Sequence, residues 1–162
     1  MRLKRNMALI AALFWAGNVQ AQSCETNWGF VEDGGFEANA PEAYSPCVRT
    51  GSVSVLCIGP ALMVSYLPAQ GALSADPQGL EHWPITLKVG DFTYADHAIF
   101  LGATGEFGFM RVAWDFDHPL FEALQSGSEI AVSVPSFGLA STISLSGSRG
   151  AISQVIEACN VN

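Results

Sequence analysis

Cys159 stands three residues from the end of a 162-residue chain, while the other cysteines, Cys24, Cys47 and Cys57, all precede residue 60. Any covalent partner of Cys159 therefore closes a loop of about a hundred residues or more, which in the chain-entropy picture stabilises a fold by about 3 to 5 kcal/mol. An even number of cysteines reads as two disulfides, and four cysteines allow three connectivities. A structural zinc site is the weaker reading: its ligands usually come in pairs two to four residues apart, and the closest cysteines here, Cys47 and Cys57, are ten apart.

Disulfides need an oxidising compartment, and the N-terminus supplies the route to one. Arg2, Lys4 and Arg5 precede an apolar run from Met7 to Ala16, and Val19-Gln20-Ala21 follows with small residues at the spacing a signal peptidase reads. The expectation is a secretory signal peptide over residues 1–21 and a single disulfide-bonded β domain over residues 22–162, periplasmic or secreted. Ala21-Gln22-Ser23-Cys24 is a poor lipidation sequence, and no later stretch approaches the roughly 20 apolar residues of a transmembrane helix. No membrane span is expected.

Cleavage after Ala21 leaves 141 residues, enough for one ordinary domain. It also leaves Arg49, Lys88, Arg111 and Arg149 as the only basic residues against fifteen acids, a net charge of −11. Phosphate binding needs clustered cations, so a nucleic-acid partner is disfavoured and none is expected; a basic partner would be attracted.

Along the chain, residues 24–52 carry Gly34-Gly35, Pro41 and Pro46 with little periodicity and read as irregular structure. Val53, Val55 and Cys57 alternate with Ser54, Leu56 and Ile58, and Gly59-Pro60 turns into Ala61 to Leu67, a hairpin. Pro68 to Pro84 reads as a surface loop. Ile85, Leu87 and Val89 mark a half-buried strand ending at Gly90-Asp91, followed by a short return over Phe92 to Tyr94. Strands follow at 98–101, 107–116, 129–134 and 139–145; in the second, Met110, Val112, Trp114 and Phe116 share the core face. Asp117 or His118 caps a short helix that begins at Pro119 and stops before Gly127. Ser148 caps a last helix whose Ile152, Val155, Ile156 and Cys159 fall at i, i+3, i+4 and i+7. The expected fold is mainly β: a single antiparallel β-sandwich or half-barrel of seven or so strands with two short helices, the last one C-terminal.

From Pro119 onward the residues have a recognisable cadence: Leu120 and Leu124, Ser126-Gly127, Ile130-Ala131-Val132, Ile143-Ser144-Leu145-Ser146-Gly147-Ser148, Ala151-Ile152 and Cys159. This resembles the C-terminal part of the invasion-associated locus B family of alphaproteobacterial exported proteins, and it is similar to the periplasmic VasI-like accessory proteins of type VI secretion. The shared pattern covers about forty residues and is one of packing, with an aromatic usual in those families where this chain has Ser148. The resemblance implies an envelope β domain of accessory or host-interaction type and brings no catalytic residues with it.

Each histidine follows an acid: Glu81-His82, Asp96-His97 and Asp117-His118, with Asp115 close by. His82, His97, His118 and Asp115 are thus the candidate metal ligands, since imidazoles with carboxylate partners are what a zinc site uses. Neighbours on a strand point to opposite faces, so no pair is set up to serve one site, and no metal or other cofactor is expected. Gly147-Ser148-Arg149-Gly150 lacks the spacing of a hydrolase elbow, and Ser148 has a capping role instead. The glycines at 102, 105 and 108 sit between two strands with no following helix to hold a phosphate, which makes them a bulged turn. Trp83, Trp114 and Phe116 read as core.

With no chemical constellation, no catalytic residue is assigned. The expected role is a non-enzymatic periplasmic or secreted binding or accessory module of the bacterial envelope, with a protein or cell-wall component as partner. One alternative is an inhibitor or immunity-type protein against a basic cell-wall hydrolase, to which the acidic surface would be complementary. The other is a metal-dependent hydrolase built on the three histidines and Asp115.

Overall fold

The computed structural model of the chain describes residues 27–33, 40–47, 49–69, 72, 82–103 and 107–160. The signal segment, Cys24 and Glu81 lie outside them, as does most of the expected loop between Leu67 and His82.

The described residues form β1 (Gly29–Val31), β2 (Glu42–Tyr44), β3 (Ser52–Ile58), β4 (Ala61–Leu67), β5 (His82–Val89), β6 (Phe92–Ala103) and β7 (Phe107–Trp114). Then come α1 (Pro119–Ser126), β8 (Glu129–Val134), a 3-10 turn at Pro135–Phe137, β9 (Leu139–Ser144) and α2 (Ser148–Asn160). All nine strands belong to one antiparallel sheet in the order β1-β2-β3-β4-β7-β6-β5-β8-β9. The chain is mainly β, with the second helix C-terminal, as the alternating pattern implied.

Period-two alternation decides which face is inside. Val53 and Val55, Leu62, Val64 and Tyr66, Ile85, Leu87 and Val89, Met110 and Val112, and Ile130, Val132 and Val134 all point into one core. Trp114 and Phe116 pack at its margin. α1 adds Leu120, Phe121, Ala123 and Leu124, and α2 adds Ala151, Ile152 and Val155, with Ile156 and Cys159 alongside.

The sheet is strongly curled. β4 and β9 stand five places apart in the strand order, which in a flat sheet would be about 24 Å. Yet the Tyr66 hydroxyl lies 2.7 Å from Ser141 Oγ. At the two edges the Trp28 backbone N–H donates to the Ser146 carbonyl and its indole N–H to the Ser144 carbonyl, both at 2.8 Å. Half-barrel therefore describes the fold better than sandwich. Gly51 sits where the curl brings Tyr66 and Ser141 together: its φ is +97°, and a Cβ there would lie 2.9 Å from Ser141 Oγ and 3.2 Å from the Tyr66 ring. Only glycine meets both conditions at low cost.

Several element boundaries differ from the sequence expectation, each for a physical reason. β1 and β2 lie in the stretch read as irregular; three residues are too few to display alternation, and these strands are held by register, Glu42 opposite Leu56 and Tyr44 opposite Ser54. β5 begins at His82 and so takes in Pro84. Proline is tolerated because β8 pairs only with Thr86 to Val89, leaving Pro84 on a stretch with a single neighbour. The return after Gly90-Asp91 and the strand at Ala98 are one twelve-residue strand, β6. β7 stops at Trp114, two residues earlier than expected. Gly102 and Gly108, read as part of a bulged turn, instead face each other in an unbroken register of the β6–β7 ladder that continues to Ala103 and Phe107, and Gly105 lies outside the described residues.

α2 is bound covalently: Cys57 at the end of β3 is joined to Cys159 in its last turn, with Cα atoms 6.2 Å apart. Cys47 is disulfide-bonded as well. Ser148 does something other than cap. Its hydroxyl donates to the Leu124 carbonyl at 2.6 Å, which supplies one of the orphan acceptors at the end of α1 with a partner.

Candidate functional site

The most organised polar corner is the turn from β7 into α1. The chain leaves β7 after Trp114, and the His118 N–H donates back to the Asp115 carbonyl at 3.0 Å. His118 adopts extended angles, φ −61° and ψ 130°, at the N-cap of α1. Its Nδ1 accepts the Leu120 N–H at 3.3 Å. A nitrogen that accepts carries no proton, so the proton of the neutral ring is on Nε2. Aromatic rings hold the imidazole in place: Trp114 stacks on it at 4.9 Å and 14°, Tyr94 of β6 lies at 5.6 Å, and Phe121 of α1 at 6.4 Å. Of the two caps the sequence suggested, Asp117 or His118, the histidine serves.

The other two histidines are elsewhere. In the β5–β6 ladder His82 faces Ile99 and His97 faces Pro84, which makes them diagonal neighbours on the outer face, about 7 to 8 Å apart by strand geometry. Both are exposed. The carboxylate that precedes His97 is occupied locally, since Asp96 Oδ1 accepts the His97 backbone N–H at 2.7 Å. His118, by contrast, stacks on Trp114 and lies beside the tilted Tyr94 ring, both on the inner face. The structure brings His82 near His97 and separates both from His118 and Asp115. No group of three or more His, Cys, Asp or Glu side chains converges among the described residues. Trp83 and Trp114 also go separate ways, Trp83 meeting Phe137 edge-on at 4.7 Å.

Three features escaped the sequence reading. Arg111 is buried, its Nε donating to Ser65 Oγ at 2.9 Å and its guanidinium lying 5.6 Å from the Phe109 ring centroid. Glu42 is fully buried on the outer face of the sheet. Arg111 occupies an outward position in an alternating strand, where a solvated cation is the ordinary expectation, so nothing in the pattern marks it. The third is Tyr66: burial pushes its phenol above the ordinary value of 10.0, partly offset by the bond to Ser141. A shallow groove of about 340 Å³ crosses the outer face of β5, β8 and β9, lined by Thr86, Lys88, Ala131, Ser133, Ala140 and Thr142.

Comparison of the chain with protein-family models, with curated proteins and with solved structures returns no match. No helix among the described residues is long and apolar enough to cross a membrane.

Proposed function

We propose that the chain is a non-enzymatic binding or accessory module of the bacterial envelope, exported by its N-terminal signal, whose partner is a basic protein. The observation that carries the reading is the distribution of charge. Of the four cations after residue 21, Arg111 is buried and Arg149 donates to the Gln125 carbonyl at 3.2 Å. Fifteen acids stand against these four cations, and among the described residues Asp91, Asp115, Asp117, Glu122 and Glu129 are all exposed, whereas Glu42 is buried. Such a surface accelerates and selects encounters with a cationic partner.

Ser148 and His118 both have structural bonds: the Ser148 hydroxyl donates to α1, and His118 caps it. The disulfides suit an oxidising compartment, and the resemblance to invasion-associated locus B and VasI-like proteins points toward an accessory role. The same acidity favours, as a narrower version, an inhibitor or immunity-type protein against a basic cell-wall hydrolase.

Cross-linking in intact cells that express the tagged full-length chain tests the proposal. Recovery of an adduct with one basic envelope protein is expected, and the inhibitor version adds that this protein cleaves the cell wall. Recovery of the chain with no adduct across linkers of several lengths, together with turnover of a substrate by the purified chain, would overturn it.

A further inference from the structure

We propose that His118 is a pH-sensitive latch on the two helices, in which uptake of a proton by the imidazole removes the cap of α1. The geometry leaves no alternative acceptor on the ring. Nδ1 accepts the Leu120 N–H, whereas an imidazolium is a donor at both nitrogens and has no lone pair to offer. Rotation of the ring would not restore the bond, because the flipped ring presents a carbon in that place. The aromatic packing also favours retention of the charged ring where it is: Trp114 is stacked on it, and a cation over an indole face is attracted. The protonated side chain stays in its box while the helix loses its cap.

The charged and aromatic groups around the imidazole come from three elements and the corner between them. β6 contributes the Tyr94 ring and β7 the Trp114 ring; the corner contributes Asp115 and Asp117; and α1 contributes Phe121, with Glu122 in its first turn. None of these is a cation.

What the latch holds is more than one turn of helix. Leu120, Phe121, Ala123 and Leu124 of α1 are buried in the core. The last turn of α1 in turn receives α2: Ser148 Oγ donates to the Leu124 carbonyl, Arg149 Nε to the Gln125 carbonyl, and Ser153 Oγ meets Gln125 Oε1 at 3.1 Å. Loosening the start of α1 therefore acts on both helices. The latch rests on the proposed export, by which the chain would meet external pH, and an imidazole is the side chain whose charge changes in that range.

Amide hydrogen exchange on the mature chain, corrected for the intrinsic pH dependence of exchange, tests this at about pH 8 and about pH 5. Loss of a side-chain cap raises opening of the first turn between about two-fold and thirty-fold, so the Leu120 amide should lose that much protection on acidification. His118→Asn supplies a cap that does not titrate and should hold protection at both values; His118→Ala should be poorly protected at both. Replacing His82 and His97 by Gln should leave the wild-type response intact. Equal protection of wild-type Leu120 at the two pH values, or the same acid loss in His118→Asn, overturns the proposal. If a variant fails to fold, the ring nitrogens of the wild-type chain decide: NMR must find Nδ1 unprotonated at the higher pH, and protonation of Nδ1 there overturns the latch.

Discussion

Replacing both Cys57 and Cys159 by Ser removes the bond that ties α2 to β3 without leaving a lone thiol. The cross-link spans 102 residues of sequence, and a loop of that size restricts the unfolded chain by about 4.7 kcal/mol in the entropy model, against about 2 to 5 kcal/mol typically measured for native bridges in small exported domains. Packing alone gives α2 a thin hold. Ile152 and Val155 are fully buried, Ala151 nearly so, and Ile156 only partly; each large side chain contributes about 1.5 to 3 kcal/mol before the ordering of thirteen helical residues is subtracted. With total stability in the usual range of about 5 to 15 kcal/mol, a loss of about 2 to 5 kcal/mol lowers the urea midpoint by about 1 to 3 M. The assay is equilibrium urea unfolding followed by tryptophan fluorescence, with the exposed change Glu32→Gln as a reference that moves the midpoint little. A double variant that unfolds at the wild-type midpoint refutes the reasoning, because it would mean that α2 is held by its side chains and its bonds to α1.

Intact mass of the chain purified from periplasm, with and without reduction, should show a mature N-terminus near Gln22 and no free thiol; two or more free thiols, or a lipid adduct on Cys24, would count against both expectations. The triple change of His82, His97 and His118 to Gln should leave the metal content by elemental analysis unchanged at none per chain, and about one zinc per wild-type chain would contradict the non-metal reading. Tyr66→Phe removes the bond to Ser141 and should cost about 1 kcal/mol at neutral pH. Because burial raises the Tyr66 phenol in the fold, the unfolded state loses its proton first, and wild-type stability should fall as pH rises past about 10; Tyr66→Phe should lack that part of the alkaline decline, and equal slopes in both proteins would contradict it. Gly51→Ala should destabilise by about 1 to 3 kcal/mol, through a strained φ and a crowded Cβ, and a thermal scan that detects no change would mean that the curl does not depend on that approach.

The core was legible because alternation is a local signal: Ile85, Leu87 and Val89, or Met110 and Val112, announce their face without knowledge of their neighbours. The helix at Ile152 and Val155 was legible for the same reason. What the sequence hides is whatever register decides. β1 and β2 exist because β3 offers them a partner, and the tolerance of Pro84 depends on where β8 begins. The choice between sandwich and half-barrel rests on contacts between residues 75 and 116 positions apart, Tyr66 with Ser141 and Trp28 with Ser144. The histidines show both outcomes: a cap at Asp117 or His118 followed from Pro119 and the helix after it, but the choice of His118 and its separation from His82 and His97 needed the structure. Arg111 was invisible because burial of a cation depends on its surroundings and not on its own strand.

The most direct test of the charge-led account is retention of envelope proteins on the immobilised mature chain as salt is raised from about 50 mM to about 500 mM, over which the screening length falls several-fold. The account predicts that a basic protein is retained at low salt and released as salt rises. Retention of an acidic or neutral protein that is indifferent to salt would contradict it.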